Sequence, residues 1–93
     1  MKEMYKLQSQ MKKMKKELAQ LEIEAEEGGV VVVVNGSQEV VSVEYDEDML
    51  GPDNKIRLEK DTITALARAM KKSQEIAAEK MKPLMGGMGL PGM

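Results

Sequence analysis

Residues 4–25 read MYKLQSQMKKMKKELAQLEIEA. Met4, Leu7, Met11, Met14, Leu18, Leu21 and Ala25 step by three, then four, through three heptads. Side chains three and four apart share one side of a helix, so the spacing predicts one long helix with a continuous apolar seam. A seam held to the seven-residue repeat packs lengthwise on another helix. Lys2, Lys6, Lys12, Lys13 and Lys16 fall on the opposite side, with Lys15 at its flank. One helix thus offers a face to protein and a face to something negative. At 1.5 Å per residue the seam is roughly 33 Å long, more than a small one-domain chain covers by itself. A homodimer is therefore expected.

Charge is segregated along the chain. The net value is only −2, yet residues 1–16 hold six lysines and one glutamate, and residues 17–54 hold eleven carboxylates with no basic residue until Lys55. A chain divided in this way attracts phosphate at one end and repels it at the other. On the predicted helix the order opposes the macrodipole, lysines first and Glu22, Glu24, Glu26 and Glu27 last, at about 0.3 kcal/mol for each exposed misplacement. The lysines either serve a partner or form a solvated face.

Several classes of function are excluded by composition. There is no Cys and no His, which removes thiol nucleophiles, disulfides, Cys/His zinc sites and histidine acid–base catalysis. No apolar run reaches the roughly 18 residues of a membrane span, and lysines interrupt the N-terminus where a secretory signal has its apolar core. A soluble cytoplasmic protein is expected, with no membrane partner and no small-molecule substrate. Ser37, Ser42 and the carboxylates have no base partner at a recognisable spacing, and Gly28-Gly29 lacks the lysine of a phosphate loop. No enzyme, cofactor or metal is expected.

Gly28-Gly29 ends the predicted helix. Val30 to Val34 is a strand, Asn35-Gly36 a two-residue hairpin turn, and Gln38 to Tyr45 the returning strand. In that register Val34 pairs Ser37 and Val30 pairs Val41. Val30, Val32, Val34, Val41, Val43 and Tyr45 then face the core, and Val31, Val33 and Val40 form an apolar patch on the reverse. A lone hairpin is barely stable, so this patch is expected to meet its copy in a dimer, by edge pairing or face packing. With Leu18 and Leu21 it forms the candidate dimer interface.

Asp46-Glu47-Asp48 lacks the alternate-residue ladder of a calcium loop and reads as a capped helical turn stopped by Gly51 and Pro52. Ile56-Arg57-Leu58 reads equally as a short third strand or as the lead-in to the next helix. A second helix is expected from Asp61, an N-cap residue, to Pro83, with an apolar stripe of Ile63, Leu66, Ala67, Met70, Ala77 and Met81. The methionines, at helical spacing in a chain without Phe or Trp, fill the core. The class is α+β, with a long N-terminal helix, an antiparallel hairpin and a C-terminal helix. Residues 1–84 form a single domain, and residues 85–93 a flexible Gly/Met tail.

The order of lysine-rich heptad helix, Gly-Gly, valine strand, Asn-Gly turn, short strand, acidic turn and second amphipathic helix resembles the YbaB/EbfC family of bacterial nucleoid-associated proteins. The match rests on Met11-Lys-Lys-Met-Lys-Lys-Glu-Leu18, on Gly28-Gly29 with Val30 to Gly36, on Val40 to Asp46 and on the Met-Gly-Gly-Met-Gly-Leu-Pro-Gly run of residues 85–92. It spans nearly the whole chain. The resemblance implies a homodimer whose sheets meet at the centre and whose helices grip double-stranded DNA like the arms of tweezers. It implies no enzymatic activity, no cofactor and a place in the cytoplasm on the nucleoid. The arm face maps onto Lys12, Lys13, Lys15 and Lys16. Lys6, Arg68, Lys71 and Lys72 complete the candidate DNA-binding set.

Lysines on phosphate give sequence-tolerant, salt-sensitive binding. The first helix has no arginine, the usual reader of guanine edges, so little direct base readout is expected. The alternative is an adaptor or chaperone-like helical module that takes a partner protein along its heptad seam. RNA binding is a third reading, with Tyr5 and Tyr45 as the only aromatics for base stacking.

Overall fold

The computed structural model describes residues 2–86, with side chains from residue 5 to residue 83. The protein is α+β. Helix α1 (Lys2–Gln20) leads into strands β1 (Ile23–Glu27), β2 (Val30–Val34) and β3 (Val40–Tyr45), and helix α2 (Lys55–Gly86) closes the chain. The strands form one antiparallel sheet in the order β1-β2-β3. The tail expected from residue 85 falls, from residue 87 onward, outside the described residues, as does the Met4 side chain.

Residues 2–20 contain no Gly, Pro or β-branched residue, which is why α1 forms. It stops earlier than the heptad spacing predicts. From Leu21 the pattern changes to strict alternation: Ile23 and Ala25 are buried, Glu24 and Glu26 exposed. Residues 23–27 are therefore a strand, paired along its full length with β2 from Ile23↔Val34 to Glu27↔Val30. Two consequences correct the sequence reading. Leu21 and Ala25 do not belong to the helical seam, and Glu22, Glu24, Glu26 and Glu27 do not lie on α1, so its dipole is not opposed by them. The third strand is here, and Ile56-Arg57-Leu58 lies in α2.

Gly28 and Gly29 join β1 to β2 with φ of 55° and 90°, the pair of positive values a type I′ hairpin requires. A Cβ on Gly28 would stand 2.2 Å from Oδ2 of Asp61. Gly28→Ala is therefore expected to cost at least about 1 kcal/mol from the left-handed backbone alone, and less in an Asp61→Ala background, where the steric part is gone. Urea unfolding of the four proteins of that cycle measures both parts.

The β2–β3 connection differs from the two-residue turn predicted. Val30 pairs Tyr45, Val32 pairs Val43 and Val34 pairs Val40, with a bulge at Val33/Val34. Asn35 organises the loop: its Oδ1 accepts from the amides of Ser37 and Glu39, each at 2.9 Å. Its Nδ2 donates to the Glu39 carboxylate. Gly36 cannot sit at the tip because it is buried against α1, its amide donating to the Leu18 carbonyl at 2.7 Å. Gln38 takes the positive φ instead, at 65°. Val40 consequently stands opposite Val34 and not in a row with Val31 and Val33.

Asp46 caps a 3-10 turn (Glu47–Met49) by accepting from the Asp48 amide, the capped turn the acidic run suggested. A second turn, Pro52–Asn54, feeds α2, which begins at Lys55, six residues before the expected cap. Asp61 is thus an interior helix residue. Pro83 does not end α2, which continues to Gly86. Near the terminus it removes one i→i−4 hydrogen bond from the last turns.

The core lies between the sheet and α2. Val30, Val32 and Val34 are fully buried, with Ile23, Ala25, Ala65 and Ala69. Ala65, Ala69 and Ser73, four apart, are all fully buried, and their small side chains bring the helix close over the valines. The Ser73 hydroxyl donates to the Asn35 carbonyl at 2.8 Å. This inward face, with Leu58, Leu66, Met70 and Ile76 packed at its margin, is centred about a quarter of a turn from the predicted stripe, with which it shares Leu66 and Met70. Ile63 is 68% exposed, Ala67 is also exposed, and Leu66, Met70, Ala77 and Met81 are half-buried.

Candidate nucleic-acid interface

Helix α1 stands largely apart from the sheet. Along its seam Leu7, Met14 and Leu18 are half-buried and Met11 is exposed. Lys6, Lys12, Lys13, Lys15 and Lys16 are all exposed on the other side, and the last four line one surface patch. The ion pairs among the described residues, Arg57–Asp61 and Arg68–Glu27, lie elsewhere. None of the five lysines has an ion-pair partner among the described residues.

The basic residues of α2 are placed differently. Arg68 donates to the Glu27 carboxylate at the end of β1 at 2.5 Å, which ties it to the sheet. Lys71 and Lys72 are exposed one turn further along. The eight basic residues grouped by sequence thus divide into a free cluster on α1 and a separate set on α2.

The sheet presents two unlike faces. Its outer face carries Val31 and Val33, half-buried, in rows with Glu26 and Glu44 and with Glu24 and Ser42. That face is acidic around a small apolar centre. On the helix side α2 covers β1 and β2 far more than β3, so Val43 and Tyr45 remain 37% and 41% exposed. Tyr45 reaches the helix through its hydroxyl, 3.1 Å from Thr62 Oγ1. Because the Thr62 hydroxyl already donates to the Leu58 carbonyl, Tyr45 is the donor.

Ile56 and Ile63 extend the uncovered apolar surface along α2, in a seven-residue row that continues to the half-buried Met70 and Ala77. The sequence reading missed Ile56 as a surface residue. Its signal was the seven-residue spacing of these four positions, a second heptad row. Of the expected interface residues, Val40 is exposed beside this surface, Leu18 and Leu21 are half-buried near the end of α1, and Val31 and Val33 lie on the acidic face.

The chain matches known proteins over most of its length. The model of the YbaB/EbfC DNA-binding family matches residues 1–88. A nucleoid-associated protein of Syntrophobacter fumaroxidans is 42% identical over 94% of this chain and 81% of its own. One of Clostridium kluyveri is 38% identical over 100% of this chain and 83% of its own. The crystal structure of an uncharacterized protein from Helicobacter pylori has the same fold, with a TM-score of 0.65 at 20% identity, covering 91% of this chain and 96% of that one. With a family match across both helices and all three strands, this chain belongs to the YbaB/EbfC DNA-binding family.

Proposed function

We propose that the protein is a nucleoid-associated, non-enzymatic homodimer that holds double-stranded DNA through lysine–phosphate contacts made by α1. The observation that carries this reading is the set of five exposed lysines on one face of a helix, without an ion pair among the described residues, in a chain of a DNA-binding family. Each lysine that reaches a phosphate releases a counterion, so affinity falls steeply with salt. Lysine is a point charge without the planar fork that reads guanine, so base identity contributes little. The names of the relatives place them on the nucleoid, and the same location follows for a protein that binds DNA by charge. Titration of a labelled duplex at several salt concentrations tests the reading. A weak or salt-independent isotherm overturns it.

The dimer pairs through β3. Two outer faces brought together would oppose Glu24, Glu26 and Glu44 with their own copies, and like charges in contact cost several kcal/mol by about the same measure that excludes wrong partners elsewhere. The free edge of β3, by contrast, joins exposed Val40, Val41, Val43 and Tyr45 to the heptad row of α2. A two-fold axis beside β3 makes one continuous sheet and sets the two α2 rows against each other. Ile63→Lys combined with Val43→Lys is expected to yield a folded monomer by light scattering on a sizing column. Changing Val31 and Val33 to serine is expected to leave the dimer intact.

A further inference from the structure

The chain has two aromatic residues, and the structure uses them unequally. Tyr45 is hydrogen-bonded to α2. Tyr5 is 79% exposed, and its hydroxyl contributes to no hydrogen bond among the described residues. It points away from the apolar seam. By helical spacing Tyr5, Ser9, Lys12 and Lys16 follow at steps of four, three and four, which puts them in one row about 16 Å long. The ring thus lies in line with the lysines that the DNA reading requires. It also borders a shallow open groove whose other lining residues are Gln8, Ser9, Met11, Lys12 and Lys15. Met11 is 40% exposed there, so the groove has an apolar side and a cationic side.

An intact duplex gives such a ring little to do, because its bases are already stacked on one another. An unpaired base is different. It presents a π-face, and a tyrosine ring accepts it with little regard to base identity. Tyr5 and Lys12 are seven residues apart, about 10 Å along the helix axis. Successive charges on one strand are about 3.4 Å apart along a duplex, so a base on Tyr5 leaves the phosphates a few nucleotides along within reach of Lys12 and Lys16. A polar residue at position 5 would have served solubility equally well. An exposed aromatic ring costs solvation and returns nothing in the isolated chain.

We propose that Tyr5 is a stacking platform for unpaired bases, so that the α1 face binds DNA with a bulged or single-stranded nucleotide more tightly than intact duplex. The inference rests on the DNA-binding reading of the same face and adds a ligand preference to it.

The test uses the full chain and three probes of common sequence: an intact duplex, the duplex with one central unpaired base, and the single strand. The wild type is expected to bind the bulged duplex about tenfold more tightly than the intact one, the scale of one aromatic–base stack. Tyr5→Ala removes that preference while intact-duplex affinity stays within about twofold, and Tyr5→Phe, which keeps the ring, retains it. Tyr5→Trp places the only tryptophan of the chain at the site, and its fluorescence is quenched by the bulged duplex and the single strand but not by the intact duplex. The proposal is overturned if the wild type shows no preference, if Tyr5→Ala keeps it, or if Tyr5→Ala weakens all three probes alike. Loss of binding by the lysine variants to every probe belongs to the DNA reading itself and leaves the two tests separable.

Discussion

Duplex DNA is released at moderate salt when Lys12, Lys13, Lys15 and Lys16 are all changed to glutamate. At low salt the expected loss is at least about a thousandfold, since the four phosphate contacts proposed for these lysines would be replaced by four repulsions. Replacement by glutamine removes the contacts alone. It should make the slope of log affinity against log salt shallower by about 3 to 4 for each arm engaged. All four side chains are exposed and form no ion pair among the described residues, so the helix and its seam should be undisturbed, and circular dichroism of the variants should match the wild type. Arg68→Gln is the internal contrast. Its partner is Glu27 on the sheet, so its effect on DNA should be small. An equal loss from Arg68→Gln would move the interface to α2 and overturn the assignment to α1.

The second large effect concerns stability. Gly36 packs where α1 ends, and a Cβ there would stand 2.7 Å from the Leu18 carbonyl oxygen and 3.0 Å from its Cα. Both atoms are backbone, so no side chain can swing aside. Gly36→Val is expected to cost about 3 kcal/mol, the upper range for overpacking a filled site. In a domain of this size that lowers the melting temperature by ~15 °C. Gly36→Ala should show a smaller loss of the same kind. If valine is tolerated without change, α1 does not dock at this loop. The Ser73 bond to the neighbouring Asn35 carbonyl survives in both variants, so the loop itself should remain attached to α2.

The valine strand and its buried face were legible because only a strand puts Val30, Val32 and Val34 on one side, and all three are fully buried. β1 was not legible from the same rules. Leu21 and Ala25 are four apart, a spacing that satisfies a helix and a strand alike, so the heptad seam ran on through a boundary. Ile23, two from each, is the residue that settles it. The inward face of α2 was hidden for another reason. Close packing on a row of valines calls for small residues, and Ala65, Ala69 and Ser73 carry little hydrophobic signal. Two bulky residues that do carry it, Ile56 and Ile63, mark the uncovered side. The lysine cluster on α1 was readable in full, because exposed charge on a helix needs no tertiary contact to place it. The basic residues of α2 were not, since the Glu27 pairing of Arg68 spans 41 residues.

The glutamates on the outer face of the sheet bear on what a covered chromosome looks like to its surroundings. Cationic proteins collapse DNA by cancelling its charge, after which neighbouring segments adhere. Each copy of this chain brings a net charge of −2, so under the proposed binding mode the basic helix would touch the duplex while the molecule as a whole made the complex more negative. Covered segments then repel one another at least as strongly as bare ones. Loading the DNA with this protein should spread it out, not condense it.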